Sequence, residues 1–137
     1  MRILLLSATL LLAACAPHAR VHSDEWLYGS MASTWTPDEA TIVQMKARFN
    51  EELEYRLNKS AVQSTTSARY WFQYRPYGTG EERALEIVGG PLPIPEDVDT
   101  VYYRPYVPEQ CHITATYLRN SGQIADFVLG GFCPPRI

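Results

Sequence analysis

The first periodic run of apolar positions lies between Pro37 and Asn58. Apolar residues recur there at steps of three and four, which places them on one face of a helix. Thr36 can cap that helix, Pro37 suits its first position, and Glu39 completes a capping box. The spacing therefore predicts a long amphipathic helix over residues 37–58. Its buried stripe would consist of Ile42, Met45, Phe49, Leu53 and Leu57.

After a Ser/Thr-rich break, the pattern changes to the alternation of period two that is typical of strands. Residues 69–75 and 83–88 alternate on either side of a turn at 76–80, which predicts a β-hairpin. Proline occupies alternate positions in the segment 89–99, which predicts an extended loop. Residues 101–106 are expected to form a short edge strand.

A second hairpin is predicted at the C-terminal end of the chain. Residues 111–119 and 123–129 alternate around Asn120-Ser121-Gly122, which is read as a three-residue loop. Pairing Arg119 with Gln123 fixes the register of the two strands. The apolar pairs that would lie under the helix are then Ile113 with Leu129, Ala115 with Phe127, and Tyr117 with Ala125.

The N-terminal end has the layout of a secretory signal. Arg2 precedes an apolar run over residues 3–12 that is too short for a membrane span. Leu12-Ala13-Ala14-Cys15 resembles the lipobox of bacterial lipoproteins, whose precursors are cut before the cysteine. The resemblance implies that Cys15 carries the lipid anchor, and Ala16 after it implies sorting to the outer membrane, facing the periplasm. The alternative is an ordinary secretory signal that leaves Cys15 as a free thiol.

Taken together, these elements predict an α+β protein. One long N-terminal helix is expected to pack on an antiparallel meander of four to five strands. We expect a signal peptide at 1–14, a lipidated N-terminus and tether at 15–34, and one domain at 35–137. Trp26 and Tyr28 suggest that the later part of the tether folds back onto that domain.

Charge and cysteine content narrow the class of protein. The formal net charge of the 137-residue chain is −3, and the predicted signal removes only Arg2, so the mature protein is slightly more acidic. This charge argues against nucleic acid as a partner. Once Cys15 is assigned to the lipid, Cys111 and Cys133 remain as an even pair in an oxidising compartment, which predicts a disulfide.

The sequence contains no convincing catalytic or metal-binding pattern. His18 and His22 have helical metal-ligand spacing but lack a nearby third ligand, so two exposed tether histidines are preferred and no metal or cofactor is predicted. His112 and Asp126 share the predicted outer hairpin face, yet the register separates them by roughly 13 Å, too far for a catalytic hydrogen bond. We therefore expect a protein that is not an enzyme.

The chain is rich in aromatic residues, with nine Tyr and three Trp. They are explained either as half-buried strand residues or as a recognition surface that combines aromatic side chains with arginine. The predicted function is that of an envelope protein that binds another protein, as an assembly accessory, inhibitor or immunity-type factor. The alternative is a carrier of a small molecule, glycan or lipid in an apolar pocket between helix and sheet. The predicted protein-binding surface consists of Trp71, Gln73, Arg75, Tyr103, Arg104 and Tyr106.

Overall fold

The computed structural model describes residues 24–30, 32–59, 67–96, 98 and 109–137. In these residues the helix α1 (Glu39–Lys59) packs on one face of a five-stranded sheet. The predicted strand at 101–106 lies outside the described residues. The strands are β1 (Glu25–Tyr28), β2 (Tyr70–Tyr77), β3 (Ala84–Pro91), β4 (His112–Leu118) and β5 (Gln123–Gly130).

The strands lie side by side in chain order, and β2 to β5 form the predicted antiparallel meander. The α+β class is confirmed, but two finer expectations are wrong. A strand precedes the helix, so the helix is not N-terminal, and β1 pairs in parallel with β2, with Trp26 opposite Phe72. A parallel pair needs a long crossover, and α1 lies within the segment that connects β1 to β2. β1 falls within residues 15–34, which were expected to form the tether.

Asp38, rather than Thr36, caps the helix. The backbone N–H of Thr41 donates a 2.8 Å hydrogen bond to Asp38 Oδ1, and helical residues begin at Glu39. The predicted cap at Thr36 was wrong. Asp38, two residues later in the chain, accepts the hydrogen bond from a free N–H group of the first helical turn. The apolar stripe is confirmed. Met45, Phe49 and Leu53 are buried, and Ile42 and Leu57 pack partly buried against the core.

Phe49 lies at the centre of the contact between helix and sheet. Its ring centroid is 4.8 Å from that of Phe72, 5.5 Å from that of Trp26 and 5.7 Å from that of Phe127. These distances are typical of favourable aromatic packing. Trp26 thus folds back onto the domain and joins its core. The sheet residues buried beneath the helix include Tyr70, Phe72, Leu85, Ile87, Ile113, Ala115 and Tyr117.

The predicted register of the C-terminal hairpin is right at one end and wrong at the other. Ile113 is opposite Leu129, as predicted, but Gln123 pairs with Leu118 instead of Arg119. The register shifts by one residue between Thr114 and Thr116, where Asp126 adopts a positive φ of 51°. The bulge leaves one residue of β5 without a partner on β4. The turn therefore consists of four residues, 119–122, instead of the three predicted.

The predicted disulfide between Cys111 and Cys133 is present, with the two Cα atoms 4.7 Å apart. Gly131, which has a φ of 69°, lets the chain before Cys133 pass close to the backbone at Gln110. A Cβ atom at this position would lie 2.2 Å from the carbonyl oxygen of Gln110. Any side chain at position 131 would therefore clash with the backbone of Gln110, next to Cys111.

Candidate functional site

Trp71, Gln73 and Arg75 lie on the sheet face opposite the helix, as the alternation predicts, but they are not exposed. Their exposed fractions are 4%, 1% and 9%. Part of the reason is the chain after β1, since a Cβ atom at Gly29 would lie 2.6 Å from Arg75 Cγ and 3.1 Å from Gln73 Nε2. The β2 part of this face is therefore interior, and these three residues form no open recognition surface.

The other predicted site residues lie outside the described part of the chain. They are Tyr103, Arg104 and Tyr106 of the predicted surface and the lipidation residue Cys15. Their predicted roles stay predictions. His18 and His22, for which no metal site was predicted, also lie outside the described residues.

The same sheet face is open at β4 and β5. Val128 is 47% exposed and Leu118 is 38% exposed. Val128 is opposite Thr114, and on the other side of the bulge Ala125 is opposite Thr116. We name this area the outer β4–β5 surface, and its members are His112, Thr114, Thr116, Leu118, Ala125 and Val128.

The hydroxyl and imidazole groups of this surface do not assemble with Asp126 in the way a catalytic triad would require. Asp126 occupies the bulge of β5, and Ala125, rather than Asp126, is paired with Thr116. His112 Nδ1 lies 3.2 Å from the carbonyl oxygen of Gln110. Alternation placed Asp126 opposite Thr116, but the bulge, which the sequence could not reveal, gives that position to Ala125.

A polar cleft of about 440 Å³ lies between α1 and the turn that connects β4 to β5. Two exposed ion pairs stand beside it, Arg48 with Glu51 at 3.7 Å and Arg56 with Glu52 at 3.4 Å. Met45, Phe49 and Leu53 are buried between the helix and the sheet, where the alternative function, that of a carrier, would place an apolar pocket. The lining residues of the cleft are Arg48, Glu51, Glu52, Tyr55, Ser121, Gly122, Gln123 and Ile124.

Within the described ranges, no three His, Cys, Asp or Glu side chains come together as a metal site. In the part of the chain that the structure describes, no helix is long and apolar enough to cross a membrane. No model of a protein family, no curated protein and no solved structure matches this chain.

A buried polar cluster joins the two ends of the described domain. Arg136 Nη2 donates to a carboxylate oxygen of Asp24 and, at 2.9 Å, to Asn50 Oδ1. Tyr70 donates its hydroxyl to the carbonyl oxygen of Pro134. Burial raises the pKa of Tyr70, an effect that the Arg136 charge opposes and the Asp24 charge reinforces, so the phenol stays a neutral donor. No sequence pattern links residues so far apart, which is why this cluster was missed.

Proposed function

We propose that the protein is a lipid-anchored envelope protein that binds another protein without catalysing a reaction. The lipid would be attached to Cys15 and would hold the domain at the outer membrane, facing the periplasm. The lipobox-like sequence supports the anchor, and the disulfide between Cys111 and Cys133 is consistent with an oxidising compartment. The role would be that of an assembly accessory, an inhibitor or an immunity-type factor.

The observation that carries protein binding is the exposure of the outer β4–β5 surface. In the same sheet face, Trp71 on β2 is buried while Val128 on β5 is nearly half exposed. No strand in the described part of the chain pairs with the outer edge of β5. Exposed apolar side chains beside an open strand edge are what protein partners recognise. We therefore move the proposed binding surface from Trp71, Gln73 and Arg75 to the outer β4–β5 surface.

Affinity purification of the full lipoprotein from gently solubilised envelopes, followed by mass spectrometry, tests this proposal. Val128→Glu places a charge in the proposed surface, whereas Val43→Glu makes the same change on α1, where Val43 is 61% exposed. We expect the parent and Val43→Glu to retain a stoichiometric protein partner and Val128→Glu to lose it. Retention by Val128→Glu would show that the surface is wrong, and a parent without a partner would contradict protein binding.

The polar cleft favours a second candidate, a carrier of a glycan or polar small molecule. Its carboxylates, Gln123 amide and Ser121 hydroxyl provide both donors and acceptors, and Tyr55 adds an aromatic face. Its volume lies within the range of ordinary ligand sites. The same purified protein, denatured and analysed for released small molecules and glycans, would distinguish the two functions. A ligand released in stoichiometric amount, and lost in Tyr55→Ala, would support the carrier.

A further inference from the structure

The first and the last described residues of the chain lie at the same end of the sheet. β1, β2 and β4 begin there, and β3 and β5 end there. The C-terminal segment is held at this end, because Ala68 N–H donates to Pro135 O at 2.8 Å and Ile137 N–H donates to Ala68 O at 3.1 Å. We name it the tether end, since the chain enters the domain here at Asp24.

Two large apolar side chains are exposed at the tether end. Phe132 is 68% exposed and Ile137 is 63% exposed. Neither residue belongs to a loose tail. Phe132 N–H donates to Glu109 O at 3.3 Å, and the next residue, Cys133, is covalently linked to Cys111. Both side chains are thus presented to solvent from backbone that is hydrogen-bonded to the domain, at the end where the chain from Cys15 arrives.

The segment between Cys15 and the described residues connects this surface to the proposed lipid anchor. The segment from Cys15 to the first described residue, Asp24, spans nine peptide steps and reaches at most about 30 Å when fully extended. Asp24 is fixed in turn by its contact with Arg136. A lipid on Cys15 would therefore be joined to the domain at the tether end.

The charges at the tether end are largely compensated. Glu25 faces Arg69 at 4.0 Å, and Asp24 faces Arg136. Glu109 also lies at this end, next to Phe132. Its charge limits any contact to the headgroup region, because charges are costly deeper in the hydrocarbon. Amphipathic contacts of this depth are typical of interfacial binding.

We propose that the tether end is a membrane-docking surface, with Phe132 and Ile137 resting in the bilayer interface; this inference rests on the proposed lipid anchor at Cys15. The lipid and the two side chains then act as linked contacts. The contact made by the two side chains is weak alone, but the anchor raises its effective concentration. The domain is thereby oriented, with the β2–β3 and β4–β5 turns facing the periplasm.

The test uses the full lipidated protein in vesicles of phosphatidylethanolamine and phosphatidylglycerol that contain a lipid-borne fluorescence quencher. Phe132→Trp introduces a reporter at the tether end, and Leu118→Trp introduces one at the opposite end of β4. The emission of the parent protein, with its own tryptophans, is subtracted from each. Thermal melts establish that both variants fold like the parent.

We expect the lipid quencher to remove most of the added emission at position 132 and to leave that at position 118 unchanged. Equal quenching at both positions, or none at 132, would overturn the docking proposal. Mass spectrometry of the same samples reports whether Cys15 carries lipid. A lipidated protein without quenching at 132 would contradict docking alone, whereas absence of the lipid would contradict the anchor and the docking with it.

Discussion

Asp24 and Arg136 form an ion pair that solvent hardly reaches, although 112 positions separate them. Their side chains are 6% and 4% exposed, respectively. Arg136 also donates to Asn50, while its Nε and Nη1 atoms have no hydrogen-bond partner among the residues that the structure describes. Burying two charges is costly, and the cost is offset only while both are present. The pair therefore makes the beginning and the end of the domain depend on each other.

Removal of one partner should be strongly destabilising. Arg136→Ala leaves the Asp24 carboxylate buried and uncompensated, so we expect the free energy of unfolding to fall by about 3 to 5 kcal/mol. Arg48→Ala makes the same change in an exposed pair with Glu51 and should cost at most about 1 kcal/mol. Urea denaturation of both variants measures the difference. Equal losses would mean that the Asp24–Arg136 pair is open to water in solution.

The disulfide should contribute a large share of the stability of so small a domain. Cys111 and Cys133 close a loop with a sequence separation of 22. The chain-entropy model gives about 3 kcal/mol for a loop of this length. We expect the double variant Cys111→Ala/Cys133→Ala to lose that amount in urea denaturation, and reductant to destabilise the parent but not the variant. A parent insensitive to reductant would show that the bond does not form.

Trp71→Ala distinguishes a buried Trp71 from an exposed one. Because the side chain is buried in the structure, we expect truncation to cost about 3 to 5 kcal/mol of unfolding free energy. Tyr55→Ala removes an exposed aromatic ring from α1 and should cost less than about 1 kcal/mol. If the two variants proved equally stable, Trp71 would be exposed in solution and the binding surface inferred from the sequence would regain support.

The helix cap predicts a specific response to acid. Hydrogen bonds from the Thr41 side chain and then from its backbone N–H hold the pKa of Asp38 below its ordinary value of 3.8, with a smaller contribution from the Arg119 charge. A carboxyl with a lowered folded-state pKa stabilises the protein above its unfolded pKa and loses that effect as the pH falls through the folded pKa.

The parent should therefore lose stability relative to Asp38→Asn as the pH falls below about 4. Asn is also a good cap but does not titrate in this range, so the comparison isolates the charge. Melting temperatures of the two proteins, measured across that range, check the prediction. Parallel curves would show that Asp38 titrates normally in the folded protein.

Much of the core could be predicted from periodicity, since the spacing of Met45, Phe49 and Leu53 depends only on helical geometry. The partner of β1 could not be predicted in the same way. Four residues are too few to show a period, and the position of Trp26 against Phe72 depends on long-range packing. The register of β4 and β5 failed near the turn for a related reason, because nothing in the sequence marks Asp126 as a bulge.

The candidate site shows a second limit of sequence reasoning. Alternation correctly placed Trp71, Gln73 and Arg75 on the outer face, but alternation cannot indicate whether another part of the chain covers that face. The backbone at Gly29 lies against two of these side chains. Exposure is a property of the assembled fold, so the outer β4–β5 surface could be recognised only once the structure was known.

The parallel pairing of β1 with β2 has a mechanical consequence for a protein held at Cys15, as proposed. Tension from the membrane would reach the domain through Asp24, at the start of β1. A pull along that strand loads the contacts from Glu25–Trp71 to Tyr28–Tyr74 together in shear, instead of peeling them apart one by one. The Asp24–Arg136 pair would bear the force first, because it lies where the proposed tether would join the domain.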